Sequence, residues 1–173
     1  MAEGHVRGEY AERGDLAGEY RWGDAGQIVL IGIFSVVTLL DVFWLRYFPS
    51  VSGLIPWYIR IIIGIPLVVG GIQLSRLGVN IVFGEQRKKL MVIRSGVFGW
   101  VRHPVYVGML VFFLGFVVIS FSILALVVWL VMVVFYVFLS WYEEQLLVEK
   151  LGDAYRQYQK EVPMMLPRFW RKN

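Results

Sequence analysis

Cysteine is absent from all 173 residues, and histidine occurs only at His5 and His103. Without thiols there is no disulfide framework, no thiolate nucleophile and no Cys-ligated metal, and two histidines are too few for a His-rich metal centre. Charge is scarce too: Asp, Glu, Lys and Arg make up 17% of the chain, and none occurs from Pro104 to Tyr142. The first residues lack the basic start, short apolar core and small-residue cleavage site of a secretory leader, so no removable signal peptide is expected.

Apolar residues dominate instead. Hydrophobic residues are 58% and aromatics 16% of the chain, with a mean hydropathy of +0.63. No soluble domain of this length could hide that surface, so the composition belongs to the integral membrane class. The expected architecture is all-α, a bundle of four transmembrane helices followed by a C-terminal cytosolic amphipathic helix.

Its expected segments are a polar tail over 1–26, two spans within 27–77, a basic connector over 78–103, a transmembrane hairpin over 104–142, and a cytosolic helix and tail over 143–173. The uncharged hairpin is too long for one span of about 20 residues and right for two, turning near Ser120-Phe121-Ser122. Pro49-Ser50 and Ser52-Gly53 mark the first turn, with Trp44, Tyr47, Trp57 and Tyr58 as an interfacial aromatic belt. Gly64 and Gly71 fall seven apart on one face of the second span, and Gly70 is expected to widen that seam for a neighbouring helix. Beyond Glu143, Leu146, Leu147, Leu151, Tyr155 and Tyr158 recur at helical spacing.

Orientation follows from Lys and Arg. Three lie in residues 1–26, Arg46 and Arg60 stand alone, six lie in 76–102 and six from Lys150 onward. Short basic loops stay in the cytoplasm, so both termini are expected there. The Gln86-Arg87-Lys88-Lys89 run reads as topology signal or anionic-lipid contact rather than a nucleic-acid footprint.

A hairpin returns to the side it left. Arg102 and His103 at its mouth therefore face the same compartment as Glu143 and Glu144 at its close. Pro104 suits the first helical turn, where a missing N–H costs nothing. The positive helix end and the Arg102 fork attract an anion. Gly108 allows close approach to the backbone, Tyr106 adds a ring and a hydroxyl, and the glutamates supply carboxylates to an ammonium, sulfonium or hydroxyl group. The implied ligand is cytosolic and zwitterionic. Taken singly, Arg102 and His103 read as a positive flank and the glutamates as the start of a solvated helix. Their order with Pro104, Tyr106 and Gly108 is what points to a site.

That order, Arg102, His103, Pro104, Tyr106 and Gly108, then Glu143 and Glu144, resembles the integral membrane methyltransferases grouped with isoprenylcysteine carboxyl methyltransferase and phosphatidylethanolamine N-methyltransferase. Gly152, Tyr155, Tyr158, Pro163 and Pro167 resemble the family's tyrosine and proline tail, with Leu151 where the family has Phe. Leu77-Gly78 and Gly96 resemble its upstream connector. Where many relatives have Gly-Pro-Tyr ahead of the motif, this chain has Gly96-Val97-Phe98, so no role passes through that tyrosine.

The resemblance implies S-adenosylmethionine as methyl donor, S-adenosylhomocysteine as product, no metal, and a lipophilic or lipid acceptor entering from the bilayer. It implies that His103, Arg102, Glu144 and Tyr106 carry catalysis, and that Arg102, His103, Pro104, Tyr106, Gly108, Glu143, Glu144 and Tyr155 bind the cofactor. Arg102 and His103 would meet the methionyl carboxylate, a glutamate the amino group or ribose, and Tyr155, Tyr158 and Arg156 would form a lid or orient the acceptor. The acceptor itself, carboxylate, amine or thiol, stays open, as does oligomeric state. Two other classes remain: a nicotinamide-dependent reductase of the sterol type, for which no phosphate-binding set is found, and a non-enzymatic four-span protein.

Overall fold

The computed structural model describes residues 23–45, 55–84 and 91–166. These residues form helices and connecting turns: α1 (Gly23–Leu40) running into a π-helical turn (Asp41–Leu45), α2 (Trp57–Phe83), a 3-10 turn (Gly96–Gly99), α3 (Pro104–Ser120), α4 (Ile123–Leu151) and α5 (Asp153–Glu161). Three helices, Gly23–Trp44, Trp57–Phe83 and Ile123–Leu151, are long and apolar enough to cross a membrane, whereas α3 is an apolar helix of 17 residues. Their outward faces are apolar: Ile28, Val36 and Leu39 on α1, Ile62 and Val69 on α2, Val127, Leu130 and Val134 on α4 are all exposed. Such faces are stable only in hydrocarbon.

The helices alternate in direction, and contacts at each end fix the arrangement. At one end Ser122, in the α3–α4 turn, donates to the Asp41 carboxylate and accepts from the N–H of Ala125 at 3.0 Å, capping α4. Arg60, in the first turn of α2, stands over the Phe121 ring at 5.5 Å. At the other end the start of α1 meets α4, with the Tyr136 hydroxyl 3.5 Å from Gln27 Oε1. Phe34, Leu110, Phe113, Val117, Met132, Tyr136 and Leu139 form the core between α1, α3 and α4, and Phe34 meets Phe113 edge to face at 4.8 Å.

A seam of glycines joins α2 to α3. A methyl group on Gly71 would lie 2.6 Å from Gly108 O, and one on Gly64 would lie 2.9 Å from Gly115 O. The spacing of Gly64 and Gly71 thus marks a close helix crossing, and Gly78 extends it to Val105. Gly70 lies outside the seam, with open space where its Cβ would be.

Boundaries differ from the expected ones in two places. α2 continues past Leu77 to Phe83, taking residues 78–83 from the connector. α4 does not stop at Tyr142 but continues through Glu143 and Glu144 to Leu151. A charged residue ends an apolar run without ending a helix, since Glu, Gln, Leu and Lys are good helix formers. The break comes at Gly152, whose φ of 59° and ψ of −134° suit glycine alone. The one-sided helix is therefore the short α5, which buries Tyr155 and Tyr158. Residues 1–22, Tyr47, the Pro49–Gly53 turn, the Gln86–Lys89 run and Pro167 lie outside the described residues.

Candidate active site

Pro104 starts α3 at the predicted position, with His103 as the residue before it. The segment leading in is held by backbone bonds to a strap of chain after α5: Arg102 N–H donates to Pro163 O at 3.0 Å and to Met164 O at 3.2 Å, and His103 N–H to Met164 O at 3.2 Å.

The side chains then converge on the end of α4. Arg102 grips Glu144 with both prongs, Nε to Oε1 at 2.7 Å and Nη2 to Oε2 at 2.9 Å. Its remaining nitrogen donates to the carbonyls of Gln159, at 2.9 Å, and Val162. Glu144 also receives the Gln159 amide at 2.8 Å and lies 3.1 Å from His103 Nε2. The other ring nitrogen, Nδ1, is 3.7 Å from Glu143 Oε2, so both nitrogens of His103 face carboxylates. Tyr106 donates its hydroxyl to Glu143, one turn into α3, and stacks on His103 with ring centroids 5.7 Å apart and planes 3° from parallel. Tyr136 lies against Tyr106 at 5.1 Å.

Behind this cluster α5 closes the site. Tyr155 and Tyr158 are buried together, 5.7 Å apart. Burial pushes the Tyr155 phenol above its ordinary value, and the nearby Glu144 charge adds to this. Tyr158 donates to Phe98 O at 2.6 Å and carries Arg94 over its ring at 5.5 Å, while Arg94 also pairs with Glu161. The connector before the motif is thereby fastened to α5.

Next to the cluster, Val107, Leu110, Val111 and Leu114 of α3 and Trp129, Val133 and Val137 of α4 line a groove of about 520 Å³, floored by Pro163–Leu166 of the strap. Every lining residue is apolar.

Against these positions, the profile of the phospholipid methyltransferase family matches residues 59–154, more than half of the chain. The chain belongs to this family. Among its relatives, the protein-S-isoprenylcysteine O-methyltransferase of Schizosaccharomyces pombe is 33% identical over 93 residues, 51% of this chain and 38% of that protein. The chain thus matches well under half of that relative's length. A solved structure of the eukaryotic intramembrane Ras methyltransferase, isoprenylcysteine carboxyl methyltransferase, superposes with a TM-score of 0.63 at 20% identity, over 83% of this chain and 52% of that one. The likeness establishes a shared fold.

Within this phospholipid methyltransferase fold, Arg102, His103, Tyr106, Glu143, Glu144 and Tyr155 come together. Gly108 does not join them. It faces α2, where a Cβ would lie 2.7 Å from Ser75 N and 2.8 Å from Gly71 O, so it serves the helix crossing rather than the cleft. Arg156 is exposed and pairs locally with Asp153. The structure adds Gln159, for which the sequence carries no signal, and Tyr136, which stands two turns before Glu144 on the same helical face.

Proposed function

We propose that this chain is a membrane-embedded S-adenosylmethionine-dependent methyltransferase acting on a lipophilic acceptor at the cytosolic face of the bilayer. One observation carries the reading: the ends of a helical hairpin bring Arg102, His103, Tyr106, Glu143 and Glu144 into a single sheltered cluster, next to an apolar groove whose lining includes Val107 and the Pro163 and Met164 that Arg102 and His103 bond. A polar, charge-balanced end beside a hydrocarbon-lined cleft matches a zwitterionic donor meeting an amphiphilic acceptor. The proposed topology has four spans, α3 included, with both termini and the cluster in the cytosol, as the distribution of Lys and Arg favours.

The residues present suit the donor. Glu143 keeps 15% of its side chain exposed, against 5% for Glu144, and is the carboxylate placed to take an ammonium or ribose hydroxyls. His103 and the first turn of α3 behind Pro104 offer the positive end for the methionyl carboxylate. Tyr106 and Tyr155 supply flanking rings. S-Adenosylmethionine supplies an electrophilic methyl group on a sulfonium sulfur. The chain must then align a nucleophile and keep water out, effects that supply about 7–11 kcal/mol of barrier lowering. The groove holds the acceptor's apolar part and presents its head to the cluster. A carboxylate acceptor is already nucleophilic, whereas an amine must first lose a proton, for which His103 and Glu143, the more exposed of the two carboxylates, are the candidates.

Calorimetry with S-adenosylhomocysteine tests this. The wild type is expected to bind it and to ignore a nicotinamide dinucleotide, and Glu143→Gln and His103→Ala should each weaken binding by about tenfold or more, 1.4 kcal/mol. Binding of the dinucleotide instead would point to reduction; binding of neither would leave a non-enzymatic membrane protein.

A further inference from the structure

We infer that Arg102 is a positioning residue: with Glu144 and Gln159 it latches the C-terminal strap across the head of α3, leaving Glu143 and Tyr106 as the pair that meets the cofactor. This rests on reading the cluster as a cofactor site, and it assigns Arg102 and Glu144 a different part from the one their motif implies.

A donor and acceptor count supports it. A guanidinium has five N–H donors, and Arg102 directs four of them inward, two to Glu144 and one each to the carbonyls of Gln159 and Val162. Glu144 is equally engaged: two bonds from Arg102, one from the Gln159 amide and the contact with His103 match the roughly four lone-pair sites of a carboxylate. The two side chains are 9% and 5% exposed. Binding a ligand carboxylate through Arg102 would break a bidentate pair and strand a buried anion, a greater loss than one new ion pair returns.

What the pair does hold is the strap. The carbonyl of Gln159 lies in the last turn of α5 and that of Val162 at its C-cap, where no further helical N–H reaches them, and a cationic donor satisfies both. The backbone N–H groups of Arg102 and His103 grip the next two carbonyls, Pro163 and Met164. One residue thus fastens the strap through side chain and main chain together. Pro163–Leu166 are also the floor of the apolar groove, so the polar cluster and the acceptor groove share a wall whose place Arg102 sets. A lysine keeps the charge but cannot span Glu144 and two carbonyls at once.

The experiment is hydrogen exchange on the ligand-free, full-length protein in lipid nanodiscs, paired with calorimetry against S-adenosylhomocysteine, for wild type, Arg102→Lys and Gln159→Leu. In Arg102→Lys the amides of residues 159–166 should exchange about tenfold faster or more, those of α2 and α3 should not change, and affinity should fall by about tenfold. Gln159→Leu removes one bond to Glu144 and should move both readouts the same way, by about threefold. A strap as protected as in wild type despite lost affinity would show Arg102 touching the cofactor itself and overturn the inference. A strap that opens with affinity unchanged would overturn it too, reducing the latch to a structural clasp. If Arg102→Lys fails to fold, Gln159→Leu decides on the same two criteria. A wild type that binds no S-adenosylhomocysteine instead removes the methyltransferase reading, and the positioning role with it, while the exchange data still report whether Arg102 holds the strap.

Discussion

Tyr158 uses its ring and its hydroxyl on different neighbours. The ring lies under Arg94 and the hydroxyl reaches Phe98 O, so one side chain ties the connector to α5. Burial pushes its phenol up to about 12 from an ordinary 10, against the opposing pull of Arg102 and Arg94. Because the folded value lies above the unfolded one, the docking is fully present below pH 10 and is lost as pH rises towards 12. Thermal unfolding in detergent should show that alkaline decline. Tyr158→Phe should reduce it, leaving the share due to Tyr155, and should cost about 1–2 kcal/mol at neutral pH because the Phe98 carbonyl loses its donor. At this scale the nearness of Arg102, His103, Glu143 and Glu144 was legible, since they bracket an uncharged run long enough to fold back on itself and bring its two ends together. Gln159 was not, because an uncharged amide fifteen residues beyond Glu144 says nothing about its partner. The sequence alone leaves Gly108 open to the cleft, because a glycine in a membrane helix admits a ligand or another helix equally well. Its seven-residue spacing to Gly115, the same as from Gly64 to Gly71, is the clue that favours the helix.

Between elements, the α2–α3 contact is set by backbone meeting backbone. At Gly71 the nearest atoms to an added methyl are Phe112 N and Gly108 O, neither of which can turn aside as a side chain would. Gly71→Ala must therefore push the helices apart, at about 1–3 kcal/mol as for other overpacked sites. Gly70→Ala, one position away and facing open space, should be neutral or slightly stabilising through helix propensity. Melting temperatures of the two purified variants should separate accordingly; equal losses would mean that propensity, not the crossing, governs this helix. The helices and the hairpin turn were readable from hydropathy and from Ser120–Ser122, whereas the end of α4 was not. Apolar periodicity reports which residues face lipid. Where a helix stops depends on backbone conformation, and Gly152 supplies the one left-handed residue at that junction.

For the whole molecule, the lengths do not match a bilayer evenly. α2, at 27 residues, extends about 40 Å, while α3, at 17, reaches about 25 Å, short of a hydrocarbon core of about 30 Å. If α3 spans as proposed, with its head at the polar cluster, the Phe121–Ser122 turn sits inside the opposite hydrocarbon boundary. Polar backbone there needs protein partners, and the buried Asp41 carboxylate, delivered by a π-helical turn, meets Ser122 at that point, with Arg60 over Phe121. The proposed four-span topology therefore puts the two polar ends of the bundle in opposite leaflets, one bearing the cluster and the other sealing a short hairpin. Because the chain has no cysteine, single cysteines at exposed tryptophans test this without background. Trp100, 75% exposed beside the cluster, and Trp57, 70% exposed at the start of α2, should react with a membrane-impermeant maleimide from opposite sides: Trp100→Cys only after the cells are permeabilised, Trp57→Cys in intact cells. Labelling of both from one side would break the proposed four-span topology and, with it, the proposed access of a cytosolic donor to Glu143.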